Sequence, residues 1–286
     1  MVILALKKRL LSLLEQADPG SAAFEVNQIL HWAMGDKAAV LFPEEETDGG
    51  EAQKAIDAAV RRAKGEPLQY IFGEWEFYGL PFKVGEGVLI PRPETEILVE
   101  TVLKEIGSKK ENSGCKVIDL CSGSGCIPIA LWKRSGAECC GVELSDKALE
   151  YFGMNIELNG AAGAVKAIKG DVLAPSAELL ERLPDKCDVI TANPPYLTAE
   201  EMEDLQIEVR HEPDIALFGG VDGLDFYRSI FGIWKERLKK DGLFAVETGD
   251  SQAGTVMDIM ENEGFRCRKV LDYGGTERVV IGKYAG

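Results

Sequence analysis

From Val2 to Leu14 apolar residues recur at spacings of three and four, through Val2-Ile3-Leu4, Leu6, Leu10-Leu11 and Leu13-Leu14, until Pro19-Gly20 stops the pattern. That spacing predicts a helix. Ser21 can cap a second one through Phe24, Ile29, Leu30 and Trp32, and a third runs from Glu51 to Ala63, ending near Gly65. Residues 1–72 therefore read as a small all-helical domain. Between Ile71 and Ile90 aromatic and β-branched residues alternate with Gly73, Gly79, Gly85 and Gly87, which predicts a β-hairpin linker over 73–93, closed by Pro91-Arg92-Pro93. Over 94–286 the periods alternate: helical from Glu94 to Ile106, strand-like over Lys116 to Leu120, helical from Ile127 to Lys133, strand-like over Glu138 to Val142, helical from Ser145 to Leu158. Strands follow at Val165 to Lys169, Cys187 to Ala192 and Leu243 to Glu247, with a last edge hairpin formed by Phe265 to Leu271 and Arg278 to Ile281. Such alternation predicts an α/β domain with helices on both faces of a largely parallel sheet, its ligands gathered at the strands' carboxyl ends.

Composition narrows the partners. The 286 residues are 45% hydrophobic and 28% charged, enough for one large and one smaller core. No apolar run approaches the roughly 18 residues that cross a bilayer, and Lys7, Lys8 and Arg9 interrupt a start that has no cleavage-like site, so the expected compartment is the cytoplasm. Seven cysteines without a Cys-x-x-Cys pair, and only two histidines, give no metal site; reduced core thiols are expected. The net charge of −16 argues against a grip on nucleic-acid phosphates, and Arg61-Arg62 and Lys239-Lys240 read as solvated surface.

The strand Val117-Ile118-Asp119-Leu120 runs into Cys121, Ser122, Gly123, Ser124 and Gly125 before a helix starts at Cys126-Ile127. Glycines there let a ligand approach the backbone. Glu143, at the end of the next strand, can accept hydrogen bonds from both hydroxyls of a ribose, and Asp171-Val172, after the third, offers a carboxylate to an adenine amino group. A dinucleotide enzyme would carry a third glycine where this chain has Pro128, and Asp119 ahead of the turn would repel a pyrophosphate. Asp119 suits a cation instead. S-adenosylmethionine carries an ammonium, a sulfonium, a ribose and an adenine, and satisfies every group named.

The fourth such strand delivers Asn193-Pro194-Pro195-Tyr196. Two prolines fix φ and remove two N–H donors, so the turn presents acceptors: the Asn193 amide oxygen and the Pro194 carbonyl, beside the flat face of Tyr196. Asn193, Pro194, Pro195 and Tyr196 are the candidate substrate contacts, Asn193, Pro194 and Tyr196 the candidate catalytic ones, with Asn193 also facing the cofactor. A planar group bearing NH2 fits, whether a primary amide or the exocyclic amine of a base.

The order of these motifs resembles the class I S-adenosylmethionine-dependent methyltransferases, which implies a Rossmann-like, seven-stranded mixed sheet. Within that superfamily Pro67-Leu68-Gln69-Tyr70-Ile71-Phe72-Gly73, Leu89-Ile90-Pro91-Arg92-Pro93-Glu94-Thr95-Glu96, Val209-Arg210-His211-Glu212-Pro213, Gly219-Gly220-Val221-Asp222-Gly223-Leu224, Glu247-Thr248-Gly249 and Asp272-Tyr273-Gly274-Gly275-Thr276-Glu277-Arg278 resemble the PrmC/HemK family, from about Leu68 to Tyr284. Cys121, where relatives often have glycine, and Glu143, where many have Asp, depart from the pattern. The resemblance implies methylation of the side-chain N5 of the glutamine in the Gly-Gly-Gln motif of class 1 peptide chain release factors, with the helical first domain binding the protein substrate; a monomer is expected. The alternative is an N6-adenine nucleic-acid methyltransferase. No general base is assigned; Glu212 and His211 are the titratable neighbours in sequence, with Arg210–Glu212 read as an ion pair. An acidic enzyme would be steered toward the basic faces of a release factor, so a salt-independent on-rate would remove that idea.

Overall fold

The computed structural model describes residues 1–15, 19–40, 42–107 and 114–286, and the chain divides into two compact units, Met1–Gly73 with Gln206–His211, and Glu74–Leu205 with Glu212–Gly286. The first is helical: α1 (Ile3–Leu14), α2 (Ala22–Met34), α3 (Lys37–Val40), α4 (Gly49–Arg62) and α5 (Leu68–Phe72). Ile3, Leu6, Leu10 and Leu14 of α1 form one buried stripe against Val26, Ile29 and Leu30 of α2 and Ala55, Ile56 and Ala59 of α4. Each large side chain so buried contributes about 1.5–3 kcal/mol. Asp48 caps α4, accepting from Gly50 N at 2.8 Å and Glu51 N at 3.2 Å. Ser21 precedes α2, but its hydroxyl donates to Glu25 at 3.1 Å instead of capping the backbone. Arg62 and Glu25, both nearly buried, pair inside this unit, and Glu208 of the returning segment joins them. Burial makes that pairing obligatory, since either partner alone would leave an uncompensated charge.

The second unit opens with a hairpin, β1 (Glu74–Phe77) and β2 (Leu80–Lys83). Tyr78 at φ 54° and Gly79 at φ 71° form its two-residue turn, the left-handed pair that matches the strands' twist. There follow α6 (Thr95–Ile106), β3 (Lys116–Leu120), α7 (Cys126–Ser135), β4 (Glu138–Glu143), α8 (Asp146–Leu158), β5 (Val165–Lys169), α9 (Ala177–Arg182) and β6 (Cys187–Ala192). The chain ends with α10 (Ala199–Glu203), α11 (Asp225–Trp234), β7 (Leu238–Glu247), α12 (Ala253–Asn262), β8 (Phe265–Leu271) and β9 (Glu277–Tyr284). Seven strands join in the order β5-β4-β3-β6-β7-β9-β8. All neighbours are parallel except β9, which runs antiparallel to both β7 and β8. The expected terminal hairpin is present, with β8 at the edge and β9 inside the sheet.

Alternate residues of the central strands enter two cores, as a doubly covered sheet requires. Val117, Val189 and Ala245 join the core under α6, α7 and α8, while Ile118, Ile190, Phe244 and Val246 join the one under α9, α11 and α12. Strand order reverses at β3, whose neighbours are β4 on one side and β6 on the other. A crevice opens outside the carboxyl ends of strands at such a reversal.

Candidate active site

At the end of β3 the chain turns left-handed three times, at Cys121 (φ 57°), Gly123 (φ 53°) and Gly125 (φ 79°). Cys121 thus occupies a conformation that costs an L-residue about 1–2 kcal/mol. Gly125 has no freedom to vary: a Cβ there would lie 2.0 Å from the Phe152 ring. Asn155, fully buried on α8, donates to the Ser124 carbonyl at 2.9 Å and to Lys83 O at 3.1 Å while accepting from Lys83 N at 2.6 Å, tying the turn to the hairpin.

The turn in turn positions Glu143. Gly123 N donates to Glu143 Oε2 at 2.8 Å and Ser145 N to Oε1 at 2.7 Å. Each oxygen keeps a lone pair for a further donor, as a diol requires. Asp171 lines the same cleft and is held by Leu173 N at 2.8 Å, while Val172 beside it is buried, its carbonyl accepting from Trp234 Nε1 at 2.8 Å. Asp119 behaves differently. It is fully buried, its Oδ1 takes the Thr191 hydroxyl at 2.6 Å, and its Oδ2 has no partner. Burial, against hydrogen bonds from Ser122 and Thr191, pushes its carboxyl up to about 7.

The corner after β6 is braced from behind. Gln252 Nε2 donates to the Tyr196 carbonyl at 2.9 Å, and Leu197 and Gly219 exchange backbone bonds with their neighbours across the strip that follows. The approach is too close for any side chain at Gly223, where a Cβ would lie 2.2 Å from the Tyr196 carbonyl oxygen. Asn193 lies between two adjoining cavities and lines both, one toward Glu143, Asp171 and Phe226, the other toward Arg92, Thr95 and the Gly-rich turn. Its Nδ2 donates to Thr95 Oγ1 at 3.2 Å. Among the described residues no protein donor bonds Asn193 Oδ1 or the Pro194 carbonyl.

Cys121, Gly123, Glu143, Asp171, Val172, Asn193 and Pro195 therefore meet around one cleft, and Ser122 and Ser124 line the cavity beside it. Gly125 acts one layer behind, as the start of α7. Pro194, Tyr196 and Asp119 line neither cavity. The Tyr196 ring packs beside Gly249, whose added Cβ would be 3.0 Å from it, and burial pushes its phenol well above the ordinary range. The expectation of an Arg210–Glu212 pair needs correction: Glu212, nearly buried, accepts from Ile90 N at 2.9 Å and from the Arg92 guanidinium. Both its oxygens are engaged in fastening the segment that leads into α6. Sequence reasoning gave no role to Thr95, Glu247, Gln252 or Phe226. Thr95 and Glu247 stood inside family-like motifs, and Gln252 carried no signal.

A family model described as Conserved hypothetical protein 95 matches residues 69–213, and one described as PrmC N-terminal domain matches residues 6–73. The release factor glutamine methyltransferase of Thermodesulfovibrio yellowstonii is 41% identical over 256 residues, covering 88% of this chain and 89% of its own. That of Clostridium acetobutylicum is 40% identical over 248 residues, covering 85% and 84%. A solved methyltransferase from Pyrococcus furiosus, 17% identical, superposes with a TM-score of 0.55 over 73% of this chain and 91% of that one, a likeness of fold.

Proposed function

The chain belongs to the release factor glutamine methyltransferase family, and from that premise we propose that it methylates the side-chain amide nitrogen of the Gly-Gly-Gln glutamine in class 1 release factors, with S-adenosylmethionine as cofactor. The observation that carries this reading is the pair of unbonded acceptors at a proline-stiffened corner, Asn193 Oδ1 and the Pro194 carbonyl, at the reversal point of a methyltransferase-like sheet.

The residues present fit the cofactor. Glu143 has two fixed oxygens with capacity to spare for a ribose, Asp171 offers a carboxylate to an adenine amine, and Cys121, Ser122, Gly123, Ser124 and Gly125 bring bare backbone to the cleft. Asp119 Oδ2, a buried acceptor without a donor next to that turn, favours a cationic ligand. When bound, S-adenosylmethionine supplies a methyl group activated by a sulfonium.

An amide nitrogen is a poor nucleophile, because its lone pair is delocalised into the carbonyl. No ordinary side chain removes its proton beforehand, so positioning carries the catalysis. Asn193 Oδ1 and the Pro194 carbonyl accept the two N–H bonds, which fixes the nitrogen and stabilises the positive charge that develops on it, effects worth several kcal/mol each. Pro195 lines the cleft at that corner, and the Tyr196 ring backs it from beside Gly249. The proton leaves late, to water.

Residues 1–72 we assign to recognition of the release factor, 73–93 to the linker and 94–286 to catalysis, in a cytoplasmic monomer that needs no nucleic acid; the charge of −16 supports the last point. The N6-adenine alternative is not favoured, since the curated relatives named above are glutamine methyltransferases. Purified protein incubated with methyl-labelled S-adenosylmethionine and a release factor should place label on the Gly-Gly-Gln glutamine, located by peptide mass analysis. A release factor with that glutamine replaced should stay unlabelled. Label elsewhere, or on added nucleic acid alone, would overturn the proposal.

A further inference from the structure

Proline fixes φ at Pro194 and Pro195 but leaves ψ free, and ψ at Pro194 sets where its carbonyl points. Neither proline has an N–H by which the backbone could anchor the corner from within, so the corner must be held at its two ends. On the entry side Ala192 is paired with Leu120 of β3 and with Val246 of β7. On the exit side Gln252 Nε2 donates to the Tyr196 carbonyl at 2.9 Å, and Leu197 N donates to the Leu217 carbonyl at 2.9 Å.

Gln252 stands just ahead of α12, and both ends of its amide meet backbone: Oε1 accepts from Gly249 N at 3.1 Å while Nε2 donates to the Tyr196 carbonyl. A backbone N–H can only donate and a carbonyl can only accept, so one orientation of the amide alone satisfies both. The surroundings leave room for nothing larger. A Cβ at Gly223 would lie 2.4 Å from Gln252 Nε2, and one at Gly219 would lie 2.6 Å from the Pro195 carbonyl oxygen and 2.7 Å from Tyr196 Cα. Bare backbone at these two positions lets the strip close over the corner's exit. Gln252 lines neither cavity, so it can act on a substrate only through Tyr196 and the prolines.

We propose that Gln252 is a positioning residue for methyl transfer: by holding the Tyr196 carbonyl it keeps the Pro194 carbonyl, two residues earlier, aimed at the substrate nitrogen. The inference deepens the functional reading above and rests on it for its kinetic consequence. A side chain that merely closed the turn before α12 would need only the bond from Gly249; the donation to Tyr196 reaches 56 positions back along the chain. The two bonds can be separated chemically. A carboxylate at position 252 keeps the acceptor and loses the donor, and once protonated the same group regains a donor.

The test uses the full chain and has two readouts. In methyl transfer to a release factor, Gln252→Met, which keeps the volume and removes both bonds, should lower kcat about 10- to 100-fold, the scale expected for a misplaced catalytic group, with the dissociation constant for S-adenosylmethionine changed less than about threefold. Gln252→Glu should lose as much at about pH 8, and its kcat relative to wild type should recover as pH falls toward about 5.5 and the carboxyl gains its proton, while the ratio for Gln252→Met stays flat. Independently of turnover, protein isotope-labelled at the proline carbonyl and the tyrosine nitrogen gives one Pro–Tyr correlation, because Pro195-Tyr196 is the one such dipeptide in the chain. That correlation should move in Gln252→Met and return toward its wild-type position in Gln252→Glu at the lower pH. A Gln252→Met enzyme at wild-type kcat, an equal loss of cofactor affinity and kcat, an unmoved correlation, or a Gln252→Glu ratio as flat as that of Gln252→Met would each overturn the inference. A wild-type protein that labels no glutamine would sink the functional reading alone, leaving the Pro195-Tyr196 correlation to decide this one.

Discussion

The two ends of the cleft hold their polar groups by different means. At the Gly-rich end the Glu143 carboxylate is gripped by two main-chain N–H groups, at 2.8 and 2.7 Å, whose directions are fixed by the turn itself. At the proline corner the Asn193 amide is held by one side-chain hydroxyl at 3.2 Å. A carboxylate is symmetric, so fixing its place is enough to make it an acceptor. A carboxamide is not, and its orientation needs a second instruction. On the proposed reading, affinity for a ribose rests on backbone geometry, and reactivity toward an amide rests on side chains that can be exchanged singly.

That division predicts separable defects, the largest at the corner. Asn193→Ala removes an acceptor aimed at developing charge, and loss of one preorganised group of that kind costs roughly 10²–10³ in kcat. Turnover should fall by that factor while calorimetry finds S-adenosylmethionine bound within about threefold of wild-type affinity. A matching loss of affinity would make Asn193 a cofactor residue first, and the contrast between the two ends would vanish.

Glu143→Ala is the converse, and its expected effect is smaller. Hydrogen bonds to a charged group are worth about 1.5–3 kcal/mol, so the dissociation constant for S-adenosylmethionine should rise about 10- to 100-fold. At saturating cofactor, kcat should stay within a few fold of wild type. A Glu143→Ala enzyme whose kcat collapses at saturation would show the Gly-rich end to be part of the reacting geometry.

Legibility in the sequence divides along the same line. Glu143 and Asp171 could be placed because a strand's carboxyl end is read from its apolar run, and parallel strands bring such ends together. Asn193-Pro194 could be placed for the same reason. The buried sides were not legible. Glu247 also ends a strand, yet nothing in its own segment says that its carboxylate is buried with one oxygen unpartnered among the described residues. Glu212 sits beside Arg210 in sequence, and the nearer cation was the natural partner to choose; the fold brings Arg92 instead. Nor did any signal mark Gln206–His211 as a segment that packs with the first helical unit. In each case local chemistry was read correctly as polar and the partner was set by topology.

The two ends share one liability, and it yields the smallest expected effect. Asp119 near one and Glu247 near the other are fully buried, and burial raises each carboxyl to about 7, from ordinary values of 3.8 and 4.5. Between about pH 4 and pH 7 the folded protein then holds more protons at these sites than the unfolded chain does. Stability contributed by the two groups must fall as pH rises through that window, by at most about 1.4 kcal/mol per pH unit for each. Asp222 and Asp272, held below the usual carboxylate range by Arg228 and by backbone donors from Thr276 and Gly274, slope the other way. Variants at the two buried sites isolate their contribution from these opposing ones. Asp119→Asn and Glu247→Gln should each remove part of the decline in denaturant midpoint between pH 5 and pH 7 that the wild-type protein shows. Slopes equal to wild type in both variants would mean that neither buried acid titrates in this range, and that both are kept ionised by neighbours stronger than their burial.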